Sequence, residues 1–296
     1  YIWRIFYYMD LVWYGYCLAW LVILGLGDYI KKLVTLHKFD KDVFLAVCFI
    51  LYVILFYINY VIFWDGSLTK QEIIIAAPAW VFDFMIPLWM LAALKYSDSS
   101  LAFVSIRMIT SFTLLAVWAW YFNDNLHILN MLWFALWVIA IYLLSWFEFW
   151  KKHKISQKGF IGIILAIVWI TLGNSYFKFY VEEIDIPSFM FLKFSFTASF
   201  IFLYLTIRKR WENFTLINIK NIIWYAWITT ILFLLQFWYV FPEIYRLWPL
   251  SISYKILSYS LAVPILLSII FHGEKLNKRK IIAFIFTAVS LLFFFF

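Results

Sequence analysis

Four charged side chains stand inside long apolar runs, and they are the residues best placed to do chemistry. Asp83 sits in Trp80-Val81-Phe82-Asp83-Phe84, and Arg107 follows Ser105-Ile106. Lys193 lies in Phe191-Leu192-Lys193-Phe194, and Lys255 follows Ser253-Tyr254. A charge at the centre of a bilayer costs about 2.5–3.5 kcal/mol on insertion scales, so such residues face a cavity or a partner. Arg grips a carboxylate or phosphate through two parallel hydrogen bonds, and Lys binds one as a point charge. Arg107 and Lys255 are therefore read as the cations of a site for an anionic group. Asp83 is read as pairing with Arg107 or as carrying a coupling proton. The competing reading for each cation is snorkelling, in which a long stem carries the charge to the nearest interface. It is the favoured reading for Lys193.

Neutral groups complete the expected site. Trp80 and Tyr254 supply aromatic surface, and Gln236 supplies hydrogen bonds. Trp89, Trp118, Trp120 and Trp238 are further candidates to shape an aromatic solute site, and for any one of these six rings packing or facing lipid is the favoured reading. Asp28 and Asn174 are polar enough to line a cavity, and equally suited to joining helices. Lys32 and Lys178 end apolar runs, where a cation complements a helix C-terminus.

Enzyme chemistry finds little support. His37, His127, His153 and His272 all fall between the apolar runs, without the spacing of metal ligands. Glu182-Glu183 stands close to Pro187, where a glutamate-type intramembrane protease would need a basic residue. There is no glycine-rich phosphate cradle. The expectation is a protein that is not an enzyme and uses no metal or cofactor.

The elements that position these residues follow from composition. Of 296 residues, 67% are hydrophobic and 14% charged. A soluble domain is about 45–50% apolar and about 25% charged. A soluble fold, a disordered chain and a disulfide scaffold are excluded. Cys17 and Cys48 both lie in apolar runs and read as small buried hydrophobes. A transmembrane helix needs about 20 apolar residues. Ten such runs lie near 11–30, 43–63, 73–94, 101–122, 128–149, 159–179, 189–207, 221–241, 250–271 and 281–296. Met9-Asp10-Leu11 resembles a natural beginning, so residues 1–8 read as an upstream extension.

Charge orders the loops. The odd-numbered connections hold Lys31, Lys38, Lys41, Lys95, Lys151, Lys158, Arg208, Lys209, Arg210, Lys220 and Lys275, among others. The even ones are poor in cations, and the sixth holds Glu182, Glu183 and Asp185. The net charge of +8 is thus a loop signal and no pointer to nucleic acid. The positive-inside rule puts the odd loops in the cytoplasm. With ten spans, both termini then lie outside.

The chain also repeats itself. Gly27 and Lys32 fall on Gly173 and Lys178 at an offset of 146, and Ser105 and Arg107 fall on Ser253 and Lys255 at 148. The halves are read as 9–150 and 151–296, five spans each. An odd number of spans inverts the second half, the plan of many secondary transporters. The fold class is an all-α polytopic membrane protein with ten helices in two inverted repeats.

Ala93-Leu94-Lys95-Tyr96 with Ser99-Ser100-Leu101-Ala102, and the turn Gly273-Glu274-Lys275-Leu276, carry a family likeness. So do Gly27 with Lys32, Gly173 with Lys178, and the alanines Ala283 and Ala288. In this order the chain resembles the ten-helix drug/metabolite transporter superfamily, in particular its EamA-like members, from about residue 10 to the end. Asp124 departs from that pattern by two residues of register relative to Glu274. Members of that family keep both termini in the cytoplasm, opposite to the charge count here. The resemblance implies a secondary transporter of a small metabolite or drug, of bacterial or archaeal inner-membrane type. The intramembrane cations turn the expected solute toward amino acids or organic anions, with a proton as coupling ion. The rival reading is a flippase-like lipid-handling protein of envelope assembly, since fold alone does not fix function.

Overall fold

A computed structural model describes residues 2–63, 68–96, 99–121, 156–237 and 262–272, with a few single positions among the remainder. Eight α-helices account for most of it. They are α1 (Ile2–Leu36), α2 (Lys41–Phe63), α3 (Lys70–Tyr96), α4 (Ser99–Tyr121), α5 (Gln157–Tyr180), α6 (Ile186–Ile207), α7 (Leu216–Leu235) and α8 (Ala262–His272). A single 3₁₀ turn, Trp211–Asn213, precedes α7. No strand occurs among the described residues. Five helices (α2, α3, α5, α6 and α7) are long and apolar enough to cross a membrane. Each matches one of the apolar runs, and α1 and α4 cover two more. Residues 2–8, read from sequence as a separate extension, are continuous with α1. Apart from a few single positions, the spans expected at 128–149 and 281–296 lie outside the described residues, as does the first half of the one at 250–271.

Local chemistry sets the helix ends. Thr69 and Glu72 form a reciprocal capping box at α3: the Glu72 N–H donates to Thr69 Oγ1, and the Thr69 N–H donates to Glu72 Oε2 at 2.8 Å. Asp40 accepts from the N–H groups of Asp42 and Val43 at the start of α2. Ser156, Asp185 and Thr215 cap α5, α6 and α7 in the same way. Helices α1 and α6 both stop at a lysine in the left-handed region, Lys38 with φ 56° and Lys209 with φ 52°. The next residue in each then donates back to a last-turn carbonyl, Phe39 to Val34 and Arg210 to Leu205. Pro78 and Pro87 lie inside α3, which runs on through both.

Contacts between loops sort the helix ends onto two faces. Asn213 Nδ2 donates to Asp40 Oδ2 at 2.8 Å, and Arg210 stands 3.7 Å from Asp42. Lys41 Nζ donates to the Leu91 carbonyl, and Ser156 Oγ to the Tyr96 carbonyl. The first, third, fifth and seventh connections therefore share one end of the bundle, rich in cations. Gln71 and Glu183 meet at the other end, which also carries Glu182 and Asp185. The alternation of charge along the chain is thus a separation in space.

The helices pack in pairs that cross the middle of the chain. Helix α3 lies on α5 and α6, α2 on α6 and α7, α1 on α7 and α8, and α4 on α5. Small residues permit the closest crossings. A Cβ at Gly162 of α5 would stand 2.8 Å from the Ala93 nitrogen of α3. A Cβ at Gly25 of α1 would stand 2.5 Å from Val263 Cβ of α8. This is the small-residue packing expected where lipid supplies no hydrophobic drive between helices.

Candidate solute site

Asp28 anchors the most heavily charged part of the interior. It lies on α1, two turns before the helix ends, and is fully buried. Burying a carboxylate costs several kcal/mol unless cations and hydrogen bonds compensate it. Here each oxygen has its own cation. Arg107 of α4 donates to Oδ2 through Nη2 at 2.5 Å and Nε at 3.1 Å, and Lys31, one turn along α1, donates to Oδ1 at 3.2 Å. The three residues lock α1 to α4.

A second pair lies at the middle of α3. Lys193 of α6 places Nζ 3.0 Å from Asp83 Oδ2. The approach has the distance of an ion pair without the direction of a hydrogen bond. The ammonium is enclosed by the rings of Phe189, Phe194 and Phe237, at 5.5, 4.8 and 4.9 Å from their centroids. Such faces attract a cation by their quadrupoles, more strongly where water is excluded.

Both pairs border one space. A cavity of about 190 Å³ is lined by residues of α1 through α7. Arg107, Lys31, Asp83, Asn174, Thr229 and Gln236 supply its polar wall, and aromatic rings supply most of the rest. A smaller cavity of about 70 Å³ shares Asp83 and Asn174 with it and reaches Lys193. Gln236 is buried where α7 passes into a π-helical turn at residues 236–237. Among the described residues, no group of three or more His, Cys, Asp or Glu comes together to hold a metal.

The expected residues are distributed unevenly over this site. Arg107, Asp83 and Gln236 all line the larger cavity. The expected pairing of Asp83 with Arg107 is corrected: Asp83 pairs with Lys193, and the acid beside Arg107 is Asp28. The snorkelling reading of Lys193 is likewise corrected, since the residue is 5% exposed and its charge points inward to Asp83. Trp80 lines neither cavity; its ring packs on Phe200 with centroids 4.0 Å apart. Lys255, Tyr254 and Trp238 lie outside the described residues, as do the side chains of Trp118 and Trp120. Lys31 was absent from the expected site. Its signal was local: it stands three residues after an acid, on the same helix face.

No family model matches the chain, and no curated protein matches it. Solved structures do resemble it in fold, among them a crystal structure of a protein. The likeness has a TM-score of 0.69 at 11% identity, and covers 94% of this chain and 97% of the other.

Proposed function

We propose that this protein is a secondary transporter, built as two inverted repeats of five helices, that moves a small metabolite across a membrane by alternating access. The observation that carries the reading is the interior cavity, walled by helices of both halves and bordered by two buried ion pairs. Intramembrane charges of this kind mark solute and ion pathways.

The packing supports the repeat. Exchange α1, α2 and α3 with α5, α6 and α7, and the helix pairs map onto one another. The α3–α5 contact becomes α7–α1, and α3–α6 becomes α7–α2. The α4–α5 contact becomes α1 against α8, the described end of the expected ninth span. Two single contacts agree. Thr171 of α5 meets Thr113 of α4 through their hydroxyls at 2.8 Å. At the offset of 146, Thr171 falls on Gly25, which touches Ser260 and Val263. In such proteins the solute site lies near the midplane, at the interface of the repeats.

The reading is tested with purified protein in liposomes loaded with a panel of unlabelled amino acids and organic acids, followed by uptake of the same labelled compound. Accelerated uptake of at least one compound, lost in Arg107→Ala, supports the reading. Liposomes that exchange no compound but scramble a fluorescent phospholipid would overturn it and favour the lipid-handling reading.

A further inference from the structure

Formal charge around the cavity narrows the class of solute. Asp28, Lys31 and Arg107 together leave one positive charge, while Asp83 and Lys193 cancel. Among the described residues lining the larger cavity, only Arg107, Lys31 and Asp83 carry charge. A surplus charge held away from water is costly, and an opposite charge brought close offsets it. A zwitterion brings no net charge, and a cation worsens the imbalance.

The geometry says where such a charge would go. Asp28 is fully buried and is not part of the cavity wall, so it stands behind Arg107 and holds it in place. The side chains of Arg107 and Lys31 remain 12% and 23% exposed, and both reach the cavity. Another part of the wall is aromatic. Phe49, Tyr52, Phe194 and Phe233 form one contiguous set, with Tyr52 and Phe233 stacked at 4.8 Å. A cavity of about 190 Å³ also has room for a ring, since an apolar cavity of about 150 Å³ admits benzene.

We infer that the cavity read above as a transport site takes a monoanionic organic acid with an apolar body. Its carboxylate lies against Arg107 and Lys31, and its ring or chain lies on the aromatic wall. Asp28 is a positioning residue for Arg107.

The test uses three probes that share a phenyl ring and differ in charge: 3-phenylpropanoate, phenylalanine and phenethylamine. Binding to the full chain in detergent is followed by isothermal calorimetry, which needs no transport. The expected order is 3-phenylpropanoate first and phenethylamine last. Arg107→Ala weakens 3-phenylpropanoate binding by at least about tenfold, the scale of a lost charge-assisted hydrogen bond. Lys31→Gln removes the surplus charge and moves the preference toward phenylalanine. Arg107→Lys, which keeps the charge, separates loss of the site from loss of folding by retaining part of the anion preference. Tighter binding of phenylalanine or phenethylamine to the unaltered protein, equal binding of all three, or binding of none overturns the assignment. Anion-selective binding without any exchange in liposomes leaves the assignment standing and sinks the transporter reading instead.

Discussion

Arg107 and Asp28 lie 79 positions apart in sequence and share one carboxylate oxygen, which receives both Nη2 and Nε of the guanidinium. Lys31 takes the other oxygen. Removing the acid therefore costs more than removing either cation alone, because it leaves two positive charges facing each other in the interior. Asp28→Asn is expected to destabilise the protein by about 3–5 kcal/mol, the scale of breaking a buried pair. Arg107→Gln leaves Asp28 with Lys31 and costs less. The double variant is expected to cost less than the two single changes added. Thermal unfolding in one detergent checks this, and strictly additive shifts would show that the two groups are not coupled.

The Asp83–Lys193 pair lies at the centre of α3, where a proton exchanged with the carboxylate would release the ammonium. Asp83→Asn is expected to abolish uptake driven by a pH gradient while leaving solute exchange at equal pH on the two sides largely intact. Stability falls in the single variant, because Lys193 is left uncompensated among its aromatic rings, and returns in part in Asp83→Asn/Lys193→Met. Paired uptake assays with and without the gradient decide the matter. Gradient-driven uptake that persists in Asp83→Asn would exclude this carboxylate as the proton carrier.

Orientation can be read by labelling. Lys209 ends α6 at the cation-rich face, and Glu183 follows α5 at the opposite face. The positive-inside rule puts the cation-rich face in the cytoplasm. In a background with Cys17 and Cys48 replaced, Glu183→Cys in intact cells is expected to react with an impermeant maleimide. Lys209→Cys is expected to react only after the membrane is opened. The reverse pattern would invert the protein in the membrane.

Much of the fold was legible because lipid imposes one rule on every span, and length and polarity reveal it. The runs at 43–63, 159–179 and 189–207 became α2, α5 and α6 with ends displaced by a few residues. The site was less legible, since pairing between charges depends on how helices rotate against one another. Asp83 and Arg107 are both intramembrane and opposite in charge, which is all that sequence offers for pairing them. In the fold Asp83 faces Lys193 of α6 instead, and α1 supplies the acid beside Arg107. Repeat symmetry also pointed to Arg107 and Lys255 as equivalent cations. It could not point to Lys193, whose counterpart at the offset of 146 is the apolar Val47, buried within α2. Charge that one half holds alone is invisible to a comparison of the halves.

The glycines supply a prediction that separates packing from function. A Cβ at Gly162 would strike the Ala93 backbone at 2.8 Å, and one at Gly25 would strike Val263 and the Ser260 carbonyl. Backbone cannot yield as a flexible side chain does, so Gly162→Ala is expected to destabilise the α3–α5 crossing by about 1–3 kcal/mol. Gly27 stands only two residues from Gly25, yet a Cβ there meets nothing within 4 Å, and the residue lines the cavity. Gly27→Ala is therefore expected to leave thermal stability unchanged or slightly raised, since alanine favours the helix by about 1 kcal/mol. Its larger Gly27→Leu counterpart fills space beside Lys31, and is expected to weaken solute binding while the melting temperature holds. Unfolding and binding measured on the three variants check the separation. A large fall in stability for Gly27→Ala would place that face of α1 against another helix rather than against the cavity.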